Sequence, residues 1–546
     1  MHDDAPMVVD YGAFQQPPSR LFRDYLAGAE AVRSFYDGGR WDLDALSAAA
    51  ERSLEHAEKR RPDALVAALV RQQQELGTAA GVEAARRLAE RGTTVVVTGQ
   101  QAGLFGGPLY VLYKALAAVQ LAALLERRRG FPVVPLFWVA SDDHDFAEVR
   151  STAVLDEAGR IRTVRYAPLR EPAGEPASRI VLDETITALV EELAQAIPAG
   201  LHRDEALSLL ASCYRPGATL AGAFARFLAA VVPGLVVLDP SDPALKELMT
   251  PVLAREIEGA SPTSRLAAAV GERLLESGYH QQVPVRPGFL NLFLMAGSQR
   301  RALAWLDGGV LEVRGLGTHI PVAEALRRVE AEPAAWSPGV LLRPLAQDHL
   351  LPTAAYVGGP AEIAYHAQIG PSYAEFGIPR PALVPRPSLT LVEPAQARAL
   401  EAEGLSLADL QSDPERLLAR WAREAYPEVE GAFGRARDAL EKEMEAVEEV
   451  LGGLDPTLRA AADAARGRAL HQIDALHEKS VRALKKRDRS RAERLRRTRD
   501  ALLPGGAFQE RGLGLVWLLA RHGLAVAREI RGRMDPWATG HQVITL

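Results

Sequence analysis

Three short β-branched, apolar runs (residues 93–98, 133–140 and 235–239) stand in the first half of the chain between stretches patterned for helix. Ahead of them Leu21, Tyr25, Ala29 and Val32 recur near helical spacing, and residues 42–91 are rich in Ala, Glu, Leu and Arg. Helix is therefore expected over about 19–92. A further helix is predicted from Pro108 to about Arg129, with Pro108 at the first helical position, where its missing N–H costs nothing. Strand, helix, strand over about 45 residues is a βαβ unit and implies a parallel sheet. A second strand–turn–helix follows at residues 353–365, T-A-A-Y-V-G-G-P-A-E-I-A-Y, repeating the Gly-Gly-Pro punctuation of Gly106, Gly107 and Pro108.

The pattern changes after Pro394. Phe433, Ala436, Leu440, Met444, Val447 and Leu451 keep a 3,4 spacing among charged residues. Gly452-Gly453 is expected to break that helix, and Asp455-Pro456 to start another reaching about Leu503, with Ile473, Leu476, Leu484 and Leu495 on its apolar stripe. Two long antiparallel helices make a coiled-coil hairpin, in which part of the longer stripe lacks cover and a homodimer is expected. The tail regains apolar aromatic character (Val516, Trp517, Leu518, Leu519, Trp537) and is expected to pack back on the core. The predicted organisation is a core over 1–393 with subdomains inserted near 151–230 and 255–340, a helical domain over 394–505, and a returning segment over 506–546. Loops are expected at residues 170–176 and 283–288, which contain Gly and Pro.

Length and composition narrow the class. A chain of 546 residues, 48% hydrophobic and 25% charged, is a globular protein of two or three domains. Its net charge of −6 gives no general pull toward nucleic acid or anionic lipid. A lone cysteine, Cys213, excludes an intramolecular disulfide and any cysteine-based metal cluster within one chain, and it reads as a packed small residue. The start M-H-D-D-A-P is acidic and lacks a signal-peptide pattern, and no apolar run was expected to reach the ~20 residues of a membrane span, so the expected location is cytoplasmic.

Candidate chemistry gathers at the ends of the predicted strands, where open parallel sheets bind ligands. Asp142, Asp143, His144 and Asp145 follow F-W-V-A directly. If the strand continued, alternation would put Asp143 and Asp145 on one side and Asp142 and His144 on the other. Such a group can hold an amine or a metal or do acid–base work; the bland alternative is a polar turn with a helix cap. Gln100 and Gln101 suit recognition of a base, sugar or amino acid, or else cap loop backbone. The glycine-rich turn with Gly103, Gly106 and Gly107 can bring backbone N–H groups to a ligand, and Lys114 can reach a phosphate or simply be solvated. The glycines Gly358 and Gly359 repeat that logic downstream. Arg343 with Gln347, Asp348 and His349 can clamp a carboxylate or close an internal salt bridge. The basic run over 479–499 is a solvated face or a phosphate site. No Walker A, G-x-G-x-x-G, G-x-S-x-G or H-E-x-x-H pattern occurs.

The strings T-G-Q-Q-A-G-L-F-G-G-P-L-Y-x-L-Y-K, F-W-V-A-S-D-D-H-D-F, N-L-F-L at Asn291, the segment from Ser337 to Tyr365, and Q-E-R at Gln509 resemble the BshC family, the cysteine ligases of bacillithiol synthesis. The likeness begins at L-F-x-D-Y-L from Leu21 and covers nearly the whole chain; Gly339 and His366 stand where Asn and Trp are common. It implies an α/β fold with a Rossmann-like parallel-sheet core, inserted subdomains and a C-terminal α-helical coiled-coil domain forming a homodimer. It implies addition of L-cysteine to the amine of glucosaminyl-malate, with ATP as activating nucleotide and Mg as a candidate counter-ion; no resident metal, membrane or nucleic acid is expected. On this view Asp142, Asp143 and His144 are catalytic, with His144 the candidate base. Gln100, Gln101, Gly103, Gly106, Gly107, Tyr110, Lys114, Arg343, Gly358, Gly359 and Glu362 bind substrate or nucleotide. Related synthetases carry His-x-Gly-His and Lys-Met-Ser-Lys-Ser signatures that are absent here, so their mechanism does not transfer. The rival expectations are a glycosyl- or nucleotidyltransferase with metal on residues 142–145, and a coiled-coil scaffold binding nucleic acid through its basic helix.

Overall fold

The computed structural model describes residues 6–37, 39, 41–57, 62–285, 288–487 and 489–546, without the side chains of Ala57, Pro62, Pro414 and Arg487. Residues 58–61 of the predicted helical region, Arg286 and Pro287 of a predicted loop, Asp488 and the Arg487 side chain thus lie outside the described residues. The chain forms two compact units, Met1–Val392 with Ala507–Leu546, and Glu393–Gly506.

The first unit is built on five strands: β1 (Thr94–Gln100), β2 (Val133–Val139), β3 (Val236–Leu238), β4 (Thr353–Gly358) and β5 (Ala382–Pro385). Their order is β5-β4-β1-β2-β3, and every pairing is parallel. Val95, Val96 and Val97 are fully buried, as in sheets covered on both faces. The strand order reverses between β1 and β4, so their carboxyl ends frame the crevice where doubly wound sheets bind ligands. β1 runs two residues past its expected end because Gly99 lets the backbone pass Trp138, whose carbonyl oxygen would lie 2.6 Å from an added Cβ.

Helix α1 (Leu109–Arg129) follows β1 and packs on β1 and β2. Against expectation it is long and apolar enough to cross a membrane, but 67% of its most apolar window is buried inside the fold. Helix α2 (Pro360–Phe376) follows β4. A hairpin (Ser151–Leu155 with Ile161–Arg165) and an antiparallel sheet over residues 289–338 interrupt the βα alternation. The tail strand His541–Thr545 pairs with Ser388–Val392 and Met7–Val9, closing the unit.

The second unit contains a helical hairpin, Pro427–Leu454 against Pro456–Arg487, then Arg489–Leu502. The first helix passes through Gly452 and Gly453, correcting the expected break. A glycine costs a helix only about 1 kcal/mol, whereas the residue before a proline is driven out of α geometry. Asp455 (φ −156°, ψ 125°), ahead of Pro456, is the true stop. The basic run is largely engaged within this unit: Arg491 and Arg494 pair with Glu403, and Lys485 and Arg496 with Glu415.

Candidate active site

A cavity of about 900 Å³ opens at the β1–β4 crevice, lined by residues from both strand ends and the antiparallel sheet. It brings together Gln100, Gln101, Tyr110, Lys114, Asp142, Asp143, His144, Arg343, Gly359 and Glu362, which lie far apart in the chain.

The two strand ends are wired to each other. The Lys114 ammonium donates to the Gly99 carbonyl (2.7 Å), to Gln100 Oε1 (2.9 Å) and to the Glu362 carboxylate. Glu362 also accepts from Tyr356 Oη (2.5 Å) and the Gly359 N–H (2.8 Å). Burial pulls Lys114 below the ordinary lysine range. Burial pushes the Glu362 carboxyl up, but Lys114 and these hydrogen bonds outweigh it and hold the acid below its usual value. The pair is an ionised clamp across the switch point.

The acidic cluster is not strand. β2 ends at Val139, so the alternation of residues 142–145 does not apply. Instead Asp145 caps the short helix Phe146–Val149, and Asp143 accepts from the His144 and Asp145 N–H groups (2.7 and 3.3 Å). Gln101 Nε2 bridges Asp143 (2.6 Å) and Glu148 (2.8 Å). Asp142 is paired with the buried Lys246 (2.6 Å). Among the described residues no three His, Cys, Asp or Glu side chains converge as a metal-binding group.

His144 lies against Arg300 and Phe293. Partial burial and the Arg300 guanidinium pull its pKa below the ordinary histidine value, against Asp143 and Asp145. Arg300 can only donate, so in their 3.4 Å contact Nδ1 is the acceptor and the neutral ring keeps its proton on Nε2. His144 lines the cavity with its ring proton assigned to Nε2.

Two half-buried arginines in the wall form no ion pair among the described residues. Arg343 donates to Gln347 Oε1 (2.8 Å) and lies over Trp138 and Tyr356. Asp348 accepts from Gln347 (2.8 Å) and Tyr373 (2.7 Å), and the Arg343 charge acts on it electrostatically. Arg300 donates to Ser337 Oγ (2.9 Å) and the Pro338 carbonyl (2.8 Å), over the Phe293 ring.

The glycine turn after β1 is closed. Gly103 N–H donates to Gln101, Gly106 N–H to Tyr214 Oη, Gly107 N–H to Leu104 and Leu109 N–H to Leu513. Gly106 (φ +88°) is packed so tightly that an added Cβ would lie 2.8 Å from Phe227. Gly103, Gly106 and Gly107 do not line the cavity, and these donors cannot cradle a phosphate; Gly358 likewise lies outside the lining, while Gly359 is in it.

Sequence reasoning assigned no role to Arg300, Tyr356, Glu148, Arg386, Arg511 or Asn291, all in the lining. The Q-E-R string was the available signal: Glu510 receives Arg386 bidentately (2.7 and 2.8 Å), which places the neighbouring Arg511 at the wall. Ser388, His541 and Glu510 form a superficially hydrolase-like trio, but all are buried. Both His541 nitrogens are taken, by Ser388 and Thr390, and burial pulls its pKa down to about 4. His366 is buried outside the lining, stacked on Tyr365.

Residues 7–387 match the family model described as bacillithiol biosynthesis BshC, N-terminal Rossmann-like domain, and residues 389–546 the BshC C-terminal coiled-coil domain. Similar proteins named "Putative cysteine ligase BshC" occur in Salinibacter ruber (32% identical, covering 99% of this chain and 100% of that protein) and Koribacter versatilis (33%, 93% of each). One in Geobacillus thermodenitrificans is 30% identical over 96% of this chain and 98% of that protein.

Proposed function

The chain belongs to the BshC family of bacillithiol biosynthesis, and we propose that it joins the carboxyl group of L-cysteine to the amine of glucosaminyl-malate, forming bacillithiol. The observation that carries this reading is the charge pattern of the crevice. Two half-buried guanidinium groups without an ion-pair partner among the described residues, Arg343 and Arg300, face a cavity that also holds the carboxylates Asp143 and Glu148. Guanidinium recognises carboxylate or phosphate in a planar, two-donor geometry, and exposed carboxylates hold an amine.

An unactivated carboxylate does not acylate an amine in water, so the cysteine carboxyl must first receive a leaving group, and ATP is the proposed source. When bound, the nucleotide would supply that activation. Its phosphates fit the arginine side of the cavity, Arg343 and Arg511, and not the closed turn at Gly103, Gly106 and Gly107. A Mg ion accompanying them would be held by the phosphates and by Glu148. In the bond-forming step the amine nitrogen attacks the activated carbonyl, the leaving group departs, and the nitrogen loses a proton. Asp143 accepts that proton, while His144 donates through Nε2–H to developing negative charge. The contribution of the site is alignment and fixed charge.

Purified protein incubated with ATP, cysteine and glucosaminyl-malate is expected to form bacillithiol, read by mass spectrometry. Failure to form it with all three substrates, by a folded protein, would remove this reading.

A further inference from the structure

Asn291 sits on the strand Phe289–Ala296 and lines the cavity with Phe289 and Phe293, while Leu290 and Leu292 are fully buried and outside the lining. Its carboxamide is held in one orientation by a chain of used protons. Thr263 Oγ1 gives its only proton to Glu256 Oε1 (2.7 Å), and Ser264 Oγ gives its own to the Phe289 carbonyl (2.7 Å). Both hydroxyls can therefore only accept from Asn291, and Nδ2 donates to each, at 2.8 and 2.7 Å. The backbone is pinned as well: Asn291 N–H reaches Glu256 (3.3 Å), and its carbonyl accepts the Gly339 N–H (2.7 Å). One polar atom of the side chain, Oδ1, has no partner among the described residues, and Asn291 belongs to the cavity wall.

We propose that Asn291 Oδ1 is a fixed acceptor that reads a sugar hydroxyl of the amine substrate, making Asn291 a specificity-determining residue. A hydroxyl suits the position better than an ammonium. The Arg300 guanidinium, bonded to the Pro338 carbonyl next to Gly339, belongs to the same wall and repels a cation. Phe289, Phe293, Val283 and Val285 supply an apolar wall for the C–H face of a sugar ring. A preset acceptor discriminates because an analogue lacking the donor leaves Oδ1 desolvated and unpaired.

The inference rests on glucosaminyl-malate as the amine substrate, and the two fail differently. Calorimetry and steady-state kinetics would compare glucosaminyl-malate with deoxy analogues, each lacking one sugar hydroxyl. In the unmodified enzyme one analogue is expected to bind about tenfold more weakly. Asn291→Ala should raise KM for glucosaminyl-malate about tenfold, leave KM for cysteine unchanged, and erase the penalty of that analogue. Should Asn291→Ala not fold, Ser264→Ala, which removes one of the two acceptors that fix the amide, should narrow the same penalty. An unmodified enzyme that neither binds nor consumes glucosaminyl-malate removes the functional reading and this inference together. An enzyme that binds it, yet shows no analogue penalty or an unchanged penalty in Asn291→Ala and Ser264→Ala, overturns the inference alone.

Discussion

Arg300 donates to Nδ1 of His144 at 3.4 Å, and that contact sets which ring nitrogen keeps the proton. It joins the antiparallel sheet to the turn after β2, and it places a cation where protonation of the ring is opposed.

The pH dependence follows with a definite sign. The imidazole is neutral above its lowered pKa; protonation keeps the Nε2–H donor but sets a positive charge against the amine substrate, so the resulting loss of activity should appear only below the ordinary histidine range. Arg300→Met removes the repulsion and leaves Asp143 in place, so this acid limb should move to higher pH. His144→Gln keeps a donor and should remove the limb, while His144→Ala should lower turnover at least about tenfold. The kcat/KM profiles of the three variants check this; an unmoved limb in Arg300→Met would return the limb to another group.

Asp142 answers to Lys246 before it answers to any substrate. Lys246 is almost fully buried, and burial pulls its pKa down against the pull of Asp142. Asp142→Asn leaves that ammonium without its carboxylate and should destabilise the protein by about 3 kcal/mol. Denaturant unfolding of Asp142→Asn and of the double variant with Lys246→Met tests it: the double variant should recover most of the loss.

Glu256 gives a stability slope of the opposite kind to most carboxylates. Burial, opposed by its Thr263 and Ser261 hydrogen bonds, pushes it up to about 7. The folded protein therefore holds this proton between about pH 4.5 and 7 while the unfolded chain has lost it. Its contribution to stability falls as pH rises through that window and is flat above it. Relative to Glu256→Gln, the melting temperature of the unmodified protein should decline from pH 5 to pH 7.5. A constant difference between the two would show that Glu256 does not titrate there.

The helical hairpin exposes Val447, Val450, Leu454, Leu458 and Leu476, the last at 58%. A second copy of the same face is the expected cover, so a homodimer through residues of about 428–503 is expected. Light scattering at micromolar concentration should give twice the 59.0 kDa chain mass, and Leu476→Glu with Leu484→Glu should give the monomer. A monomeric unmodified protein would end the proposal.

What the sequence determined by itself was local: the strand and helix starts, the Gly-Gly-Pro turns, and the long amphipathic helices that mark the second unit. Apolar periodicity and proline positions act within a few residues, so they can be read in one dimension. Membership of the crevice was legible for Gln100, Gln101, Asp142, Asp143, His144 and Glu362 because polar residues directly after buried strands sit at strand ends. Partnership was not legible. Lys114 and Glu362 are 248 residues apart, and Lys246 and Asp142 are 104 apart. Only the crossover of the sheet sets them against one another. The glycine turn looked like a phosphate cradle until Tyr214 and Leu513, from distant segments, took its N–H donors. Arg300 and Asn291 lie on an inserted sheet with no motif that advertises a ligand. Hydrogen bonds and ion pairs are short-ranged in space and indifferent to chain distance, so tertiary structure alone decided which polar groups are free for chemistry.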